Sequence, residues 1–324
     1  MTGFSDFFAA THTDGLVILH NGALVHESYA NGMTASDPHI CMSVSKSMLG
    51  LLAGTLAKSG DLDLSSNAAT YIPELTQTAF ANATVQQLLD MRTGVTFDED
   101  YLATAGPIIE YRKSTNWNPL EPGQSPTDLR SFLLTLVETD GPHGGRFDYK
   151  SPCTDLLGWV IERATGRRFA DLFSDLIWKP MGAETPAAIT VDRLGAPRTA
   201  GGMSITTRDL ARVGQMVCEG GWGIVPEDWI NDIVENGDPD AWAHGSFAEE
   251  FSGLEMHYRS KWYVLRGKDP VLFCLGIHGQ NLLVDRKAQV VLARHASGPD
   301  PLDLRSEKLT IKLFEAVRNR LGRS

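Results

Sequence analysis

The sequence has few of the features that mark disulfide-rich, zinc-binding or nucleic-acid-binding proteins. Its 324 residues include four cysteines without Cys-x-x-Cys spacing, and 40 acidic side chains against 29 basic ones give a net charge of −11. Scattered cysteines are typical of buried apolar positions in a cytoplasmic protein, not of a disulfide framework or a zinc site. The negative charge argues against nucleic acid or an anionic membrane as a partner, because both require a basic surface.

Long hydrophobic runs and several catalytic motifs are also missing. The most apolar stretch, residues 48–57, is too short to span a bilayer, and its Gly and Ala content predicts a helix buried on all sides. The N-terminal residues have neither a basic segment nor a long apolar core, so we expect no signal peptide and a cytoplasmic location. There is no Gly-x-Ser-x-Gly elbow, His-Glu-x-x-His, P-loop or Gly-x-Gly-x-x-Gly, and the acidic run at residues 98–100 is more typical of a solvated loop than of a metal site. We therefore expect no metal and no organic cofactor.

Patterns typical of strands lie at both ends of the sequence. Apolar runs flank Asn21 and Gly22, and Asn-Gly between such runs is the strongest short signal for a β-hairpin. Further strands are predicted at residues 261–266, 271–275, 281–284 and 289–293. The apolar stripe between residues 309 and 321 predicts a terminal helix.

Helices are predicted through the middle of the sequence. Thr84 and Gln87 form a capping box, and Gly60 has the position of a C-terminal helix glycine. The predicted helices cover residues 43–60, 84–91, 126–137, 152–164, 169–178 and 206–220. Residues 93–126, rich in Gly, Pro, Thr and Asn, are predicted to form a long functional loop.

This order of elements predicts an α+β fold. The simplest closure is one antiparallel sheet built from both chain ends, flanked by helices, with a mostly helical domain inserted. Residues 1–40 and 255–324 would form the sheet-and-helix domain, and residues 41–254 the mostly helical domain. We expect the active site in the cleft between them.

The most informative stretch is Ser-Val-Ser-Lys at residues 43–46. Residues i and i+3 share one helix face, so Lys46 can take the proton of Ser43 if burial or a neighbouring charge keeps the amine neutral. The backbone N–H groups at the helix start can stabilise the oxyanion of acyl transfer. The alternative is an exposed Ser N-cap followed by a surface Lys.

Two further segments carry candidate site residues. Tyr149, in the stretch Phe-Asp-Tyr-Lys-Ser, can act as general acid to a leaving group, whereas Ser151 before a proline is also an ordinary helix start. Glycines around Ile277 allow a substrate to lie along a strand edge, and a strand N–H there can complete an oxyanion hole. His278 is either a substrate contact or a turn residue.

The ordered set of Ser43-x-x-Lys46, Tyr149-x-Ser151 and a Gly/His strand motif resembles the serine β-lactamase and penicillin-binding-protein superfamily. The similarity runs over nearly the whole chain. Within the superfamily, the sequence is most similar to the 6-aminohexanoate-dimer hydrolases, nylon-oligomer amidases related to carboxylesterases. The resemblance implies a serine hydrolase that needs no cofactor and works through an acyl-enzyme.

The resemblance also places substrate-binding aromatics in the long loop, at Tyr101 and Trp117, which otherwise serve only to pack that loop. The sequence departs from the β-lactamase pattern because the Lys-Thr-Gly motif that receives the antibiotic carboxylate is absent, and Ser151 stands where Asn is usual. Both differences favour esters or simple amides over β-lactams.

The sequence therefore predicts a serine hydrolase of a small amide or ester. Ser43 is the expected nucleophile, Lys46 the base, Tyr149 the proton relay, and the N–H groups of Ser43 and Ile277 the oxyanion hole. Ser151 and His278 join Tyr101 and Trp117 as candidate substrate contacts. Two alternatives stay open, a promiscuous short-chain carboxylesterase and a binding protein that is acylated without turnover, and a homodimer is a possible assembly.

Overall fold

The computed structural model describes residues 3–322, and its centre is a large antiparallel sheet. The ten strands are β1 (Thr13–His20), β2 (Ala23–Tyr29), β3 (His39–Ile40), β4 (Ala188–Ile189), β5 (Met203–Ile205), β6 (Met256–Arg259), β7 (Trp262–Leu265), β8 (Val271–Gly276), β9 (Gln280–Asp285) and β10 (Val290–Ala296). Seven of these strands form the large sheet in the order β2-β1-β10-β9-β8-β7-β6. A small second sheet has the order β3-β5-β4.

The first hairpin is joined to the C-terminal strands, as the sequence predicts. Ile18 in β1 pairs with His26 in β2 on one side and with Leu292 in β10 on the other. Asn21 and Gly22 have φ angles of 50° and 75°, the left-handed values that a two-residue type I′ turn requires. The predicted hairpin and the closure of one sheet by both chain ends are confirmed.

Helices cover both faces of this sheet. They are α1 (Phe4–Thr11), α2 (Val44–Ser59), α3 (Ala68–Tyr71), α4 (Val85–Leu89), α5 (Pro107–Ser114), α6 (Leu129–Leu133), α7 (Ser151–Thr165), α8 (Phe169–Phe173), α9 (Thr207–Cys218), α10 (Glu227–Glu235), α11 (Pro239–Ala243) and α12 (Leu304–Leu321), with a 3₁₀ turn at Pro73–Gln77 and a π-helical turn at Ser174–Trp178. On β10, Val291 packs against Gly214 of α9, whereas Arg294 donates to Ser306 of α12 at 2.8 Å. Because alternate strand residues face opposite sides, α9 and α12 lie on opposite faces.

The strongest helix signals in the sequence are confirmed. Thr84 Oγ1 accepts from the Gln87 N–H at 3.2 Å, and Gln87 Oε1 accepts from the Thr84 N–H at 2.9 Å, which completes the predicted capping box. Gly60 follows α2 with φ of 83°. The predicted helices in residues 152–164 and 206–220 are α7 and α9, and the one at 169–178 divides into α8 and the π-helical turn.

The middle region departs from prediction in two places. Residues 93–126 contain α5, and residues 126–137 are helical only in α6. Helix α5 begins with Pro107, and its acidic first turn and basic last turn match the helix dipole. The Gly- and Pro-rich flanks of this short helix obscure that signal in the sequence. Helices α1, α3, α10 and α11, the 3₁₀ turn, strand β6 and the small sheet were not predicted.

Helix α2 is buried along nearly its whole length, as the apolar stretch at residues 48–57 predicts. All four cysteines are buried and free. None of the helices within residues 3–322 combines the length and the apolar character needed to cross a bilayer. The division into a domain of residues 1–40 and 255–324 and one of residues 41–254 stays a prediction.

Gly50 allows α2 to lie directly against the turn between β6 and β7. A Cβ at this position would stand 2.3 Å from the Ser260 carbonyl oxygen and 3.1 Å from Lys261 Cβ. Because the oxygen belongs to the backbone, Gly50→Ala should destabilise the fold by about 1–3 kcal/mol. Denaturant unfolding would measure this, with Lys58→Ala at the exposed end of α2 as the control, expected to change stability by about 0.5 kcal/mol or less. Equal stability of Gly50→Ala and the wild type would contradict the close packing.

Candidate active site

Ser43 lies where the chain leaves the small sheet and enters α2. The Cys41 N–H donates to the Met203 carbonyl in β5 at 2.8 Å. Met42 then has φ of 46°, a left-handed conformation that is uncommon for a residue with a side chain. Ser43 follows with helical angles as the residue that precedes α2. This tight bend places Ser43 in the lining of a cleft.

Lys46 lies one turn further along α2, with a side chain that is 1% exposed. Its Nζ donates to Ser43 Oγ at 2.8 Å and to the Ala200 carbonyl at 2.7 Å. Burial lowers the pKa of the Lys46 ammonium to about 8, while the charge of Glu99 opposes this shift and that of Arg198 adds to it. Lys46 is therefore not a surface lysine, and it lies within reach of the Ser43 proton.

Tyr149 completes a group of three side chains with Ser43 and Lys46. The side chains of Ser43 and Tyr263 lie near its hydroxyl and act to lower its pKa, and Lys46 Nζ lies 4.8 Å from the centre of its ring. Burial, followed by the charge of Glu99, raises the pKa of Tyr149 well above its usual value. The phenol therefore stays protonated at neutral pH and can donate a proton to a leaving group.

Asp155, which was not among the predicted residues, holds the carbonyl that Lys46 uses. Its Oδ1 accepts from the Ala200 N–H at 2.8 Å and from Thr199 Oγ1 at 3.1 Å. Its Oδ2 accepts from Arg198 Nη1 at 3.1 Å. The available signal in the sequence was a single carboxylate within the apolar run of α7. The carboxylate fixes the segment against which the Lys46 amine is held.

Glu99 corrects the interpretation of the acidic run at residues 98–100 as a solvated loop. Its carboxylate accepts from the backbone N–H and the hydroxyl of Ser151, and from the Tyr101 hydroxyl at 2.9 Å. No group of three or more His, Cys, Asp or Glu side chains within residues 3–322 is arranged to hold a metal ion. Glu99 thus links the long loop to the start of α7, and nothing in its local sequence indicates this.

Two residues line the cleft from different elements with backbone N–H groups that have no acceptor in the described chain. Within residues 3–322, neither the Ser43 N–H nor the Ile277 N–H has a hydrogen-bond acceptor, and both residues line the cleft. The preceding residue, Gly276, lies so close to the segment before Ser43 that a Cβ would stand 2.6 Å from the Cys41 carbonyl oxygen. The glycine therefore lets the end of β8 approach Ser43, which is the arrangement that an oxyanion hole needs.

The remaining predicted residues divide into two groups. Ser151, Tyr101 and Trp117 line the cleft, and the Trp117 ring lies 4.6 Å from the Arg198 guanidinium. His278 is not in the lining that contains Ser43, because its Nδ1 is 2.8 Å from the Gly298 carbonyl in a turn with φ of 65°. These contacts match the turn residue that the sequence offered as an alternative.

The comparisons with known proteins agree with the fold. The model of the Beta-lactamase family matches residues 6–315, and the chain belongs to that family. Enzymes of this family hydrolyse amides or esters through an acyl-enzyme, and this chain is a hydrolase of that type.

Individual similar proteins show which members of the family this chain resembles. It is 34% identical over 295 residues to a 6-aminohexanoate-dimer hydrolase of Paenarthrobacter ureafaciens, an alignment that covers 90% of this chain and 74% of the relative. A structure assigned as a 6-aminohexanoate-dimer hydrolase from Bacillus anthracis is 28% identical, with a TM-score of 0.89, and covers 99% of this chain and 83% of its own. EstCE1, a hydrolase with promiscuous acyltransferase activity, shares the fold at 15% identity with a TM-score of 0.75, over 97% of this chain and 96% of its own.

The buried position of Lys46 predicts the pH dependence of hydrolysis. Because the amine must be neutral to accept a proton, kcat/KM should rise with pH until the Lys46 pKa, about 8, is passed. Below that pH, the rate should fall about tenfold for each pH unit. A pH profile with a neutral ester would measure this, with circular dichroism at each pH as the control for folding. A rate that is constant between about pH 6 and 9 would contradict the role of Lys46 as base.

Proposed function

We propose that Ser43 is the nucleophile of this hydrolase and that Lys46 and Tyr149 move its proton. The observation that carries this proposal is the 2.8 Å contact between Lys46 Nζ and Ser43 Oγ in a buried setting. Neutral Lys46 takes the Ser43 proton as Oγ bonds to the carbonyl carbon of the substrate. Tyr149 gives its proton to the departing nitrogen or oxygen as the scissile bond breaks, and Lys46 restores the phenol.

The second half of the proposed reaction frees the acyl group. The N–H groups of Ser43 and Ile277 hold the oxyanion in both tetrahedral intermediates, since neither has another acceptor within the described chain. Water then attacks the acyl-enzyme, its proton passes to the Lys46 and Tyr149 pair, and Ser43 leaves as the alcohol. The products are a carboxylic acid and an amine or alcohol.

The proposed substrate is a small linear amide or ester. The name of the Paenarthrobacter ureafaciens relative makes the 6-aminohexanoate dimer the first amide to assay. A promiscuous short-chain carboxylesterase is the second candidate, and the position of Tyr101 and Trp117 in the cleft lining fits substrates of either kind. Burst kinetics separate both candidates from a binding protein that is acylated once, since an enzyme continues into a steady state.

We also propose a cytoplasmic protein that forms a homodimer and has no nucleic-acid or membrane partner. The net charge of −11 supports the exclusion of these polyanionic partners, because like charges repel. The assembly can be measured by light scattering.

One structural relative is described as an octameric penicillin-binding protein homologue from Pyrococcus abyssi. It shares the fold at 16% identity, with a TM-score of 0.71 over 96% of this chain and 76% of its own.

Replacing members of the catalytic group tests the proposed roles. Ser43→Ala and Lys46→Ala should each lower kcat by about 10³-fold or more, because each removes one half of the proton transfer. The double variant should lose little more than either single variant, since the two residues act as a unit. Steady-state hydrolysis of a p-nitrophenyl ester measures all three.

Ser47→Ala is a matched control, because Ser47 lies on the same helix but donates to the Lys261 carbonyl instead of facing Ser43. Its kcat should stay within about threefold of the wild type, since it removes no group of the proposed reaction. Normal turnover by Ser43→Ala, or losses in the double variant that multiply, would contradict the assignment.

The charges near Tyr149 predict that β-lactam antibiotics are poor substrates. The carboxylate of a cephalosporin lies beside the ring nitrogen, which is the leaving group that Tyr149 would face. On that side the described lining contains several carboxylates, among them Glu250, and no lysine or arginine. An anion placed there would be desolvated without a partner. Nitrocefin should therefore react at least about 10³-fold more slowly than a short ester, and comparable kcat/KM values would contradict this.

A further inference from the structure

The cleft has two compartments, with Ser43 between them. One, the tyrosine compartment, is lined by Tyr149, Phe247, Glu250, Pro301 and Leu302. The other, the arginine compartment, is lined by Ile108, Tyr111, Arg112, Trp117, Arg198 and Gly201. Ser43, Tyr101 and Ile277 border both.

The two compartments carry opposite kinds of charge. The described lining of the tyrosine compartment contains no basic residue. It contains eight carboxylates, of which Asp148 pairs with Lys150 behind the lining at 2.7 Å: Asp98, Glu99, Asp100, Asp148, Glu250, Asp300, Asp303 and Glu307. The arginine compartment contains two guanidinium groups. Its one carboxylate, Glu99, also lines the tyrosine compartment and accepts hydrogen bonds from Ser151 and Tyr101. A charged substrate would therefore bind in one orientation better than in the other.

Arg198 already forms an ion pair within the protein. Its side chain is buried and donates to Asp155, which also accepts from the Tyr111 hydroxyl. The guanidinium carbon also lies 4.4 Å from the ring centre of Tyr111 and 4.6 Å from that of Trp117. Its charge is thus paired with Asp155, and its side chain is held by aromatic contacts, although its buried Nε has no hydrogen-bond partner within the described chain.

Arg112 is in a different situation. Within residues 3–322 it has no carboxylate partner. Its Nη2 donates a hydrogen bond to the Tyr101 carbonyl oxygen at 3.1 Å. The neighbouring basic residue, Lys113, pairs with Glu110 instead. A guanidinium has five N–H donors, so most of those on Arg112 remain free at the edge of the cleft.

The proposed mechanism fixes which part of the substrate meets Arg112. Tyr149 lines the tyrosine compartment and not the arginine compartment, so the leaving group that it protonates lies on its side. The acyl group must then extend past Ser43 toward Arg112. We propose that Arg112 binds a carboxylate on the acyl part of the substrate, so that the enzyme cleaves half-amides or half-esters of dicarboxylic acids.

This inference rests on the proposed function and makes it more specific. A guanidinium and a carboxylate form two parallel charge-assisted hydrogen bonds, which give both affinity and orientation. The acidic tyrosine compartment favours a neutral or cationic leaving group. A substrate with an ammonium at the end of its acyl chain, such as the 6-aminohexanoate dimer, would instead meet the free charge of Arg112 and be disfavoured.

Three p-nitrophenyl esters with six-carbon acyl groups test the proposal: the hydrogen adipate, the hexanoate and the 6-aminohexanoate. The wild type should hydrolyse the adipate with a kcat/KM about 10- to 100-fold above that of the hexanoate. In Arg112→Ala the ratio of adipate to hexanoate should fall to about one, and Arg112→Lys should retain part of it. Arg112→Glu should reverse the order of the adipate and the 6-aminohexanoate.

Arg193→Ala is the matched control, because it removes the same charge from an exposed position outside the cleft lining. It should leave the ratio unchanged. An adipate-to-hexanoate ratio in Arg112→Ala equal to that of the wild type, or a wild-type preference for the 6-aminohexanoate ester, would overturn the assignment of Arg112. If these outcomes accompany hydrolysis that still depends on Ser43, the proposed function stands and the Arg112 inference fails. Full activity of Ser43→Ala would instead overturn the proposed function itself.

Discussion

A lysine amine buried within hydrogen-bond distance of a serine hydroxyl is the contact on which the site depends. Removing an ammonium from water is costly, and the cost favours the neutral amine that can act as a base. Lys46 keeps this position because the Ala200 carbonyl accepts one of its N–H groups. Asp155 in turn holds Ala200, so a residue far along the chain determines where the amine lies. The proposed reactivity of Ser43 therefore depends on packing that is remote in sequence.

The long loop adds an electrostatic link to this arrangement. Glu99 raises the pKa of both Lys46 and Tyr149 through its charge, so it opposes part of the effect of burial on the lysine and adds to that on the tyrosine. Its hydrogen bonds to Ser151 and Tyr101 fix the carboxylate between the loop and α7. A movement of this loop would thus change the proton affinities of Lys46 and Tyr149 as well as the shape of the cleft.

Local signals in the sequence predict the fold and the centre of the site, but not their surroundings. The Asn21 turn, the Thr84 cap and the pair of Ser43 and Lys46 depend on residues four or fewer positions apart, and such patterns are readable from sequence. Glu99 and Asp155 act through partners that are more than 40 residues away. No local pattern encodes such contacts, and α5 was missed because its flanks resemble a loop.

The pairing of β1 with β10 also has a consequence for synthesis on the ribosome. The N-terminal hairpin emerges early, but the second edge of β1 stays uncovered until residues 290–296 have left the exit tunnel. Until then, that open edge and the apolar side chains of Leu16 and Ile18 are a target for aggregation or for chaperones. The nascent chain also carries Ser43 long before Ile277 exists. A prematurely terminated chain would therefore be an unprotected fragment with an incomplete site, not a smaller enzyme.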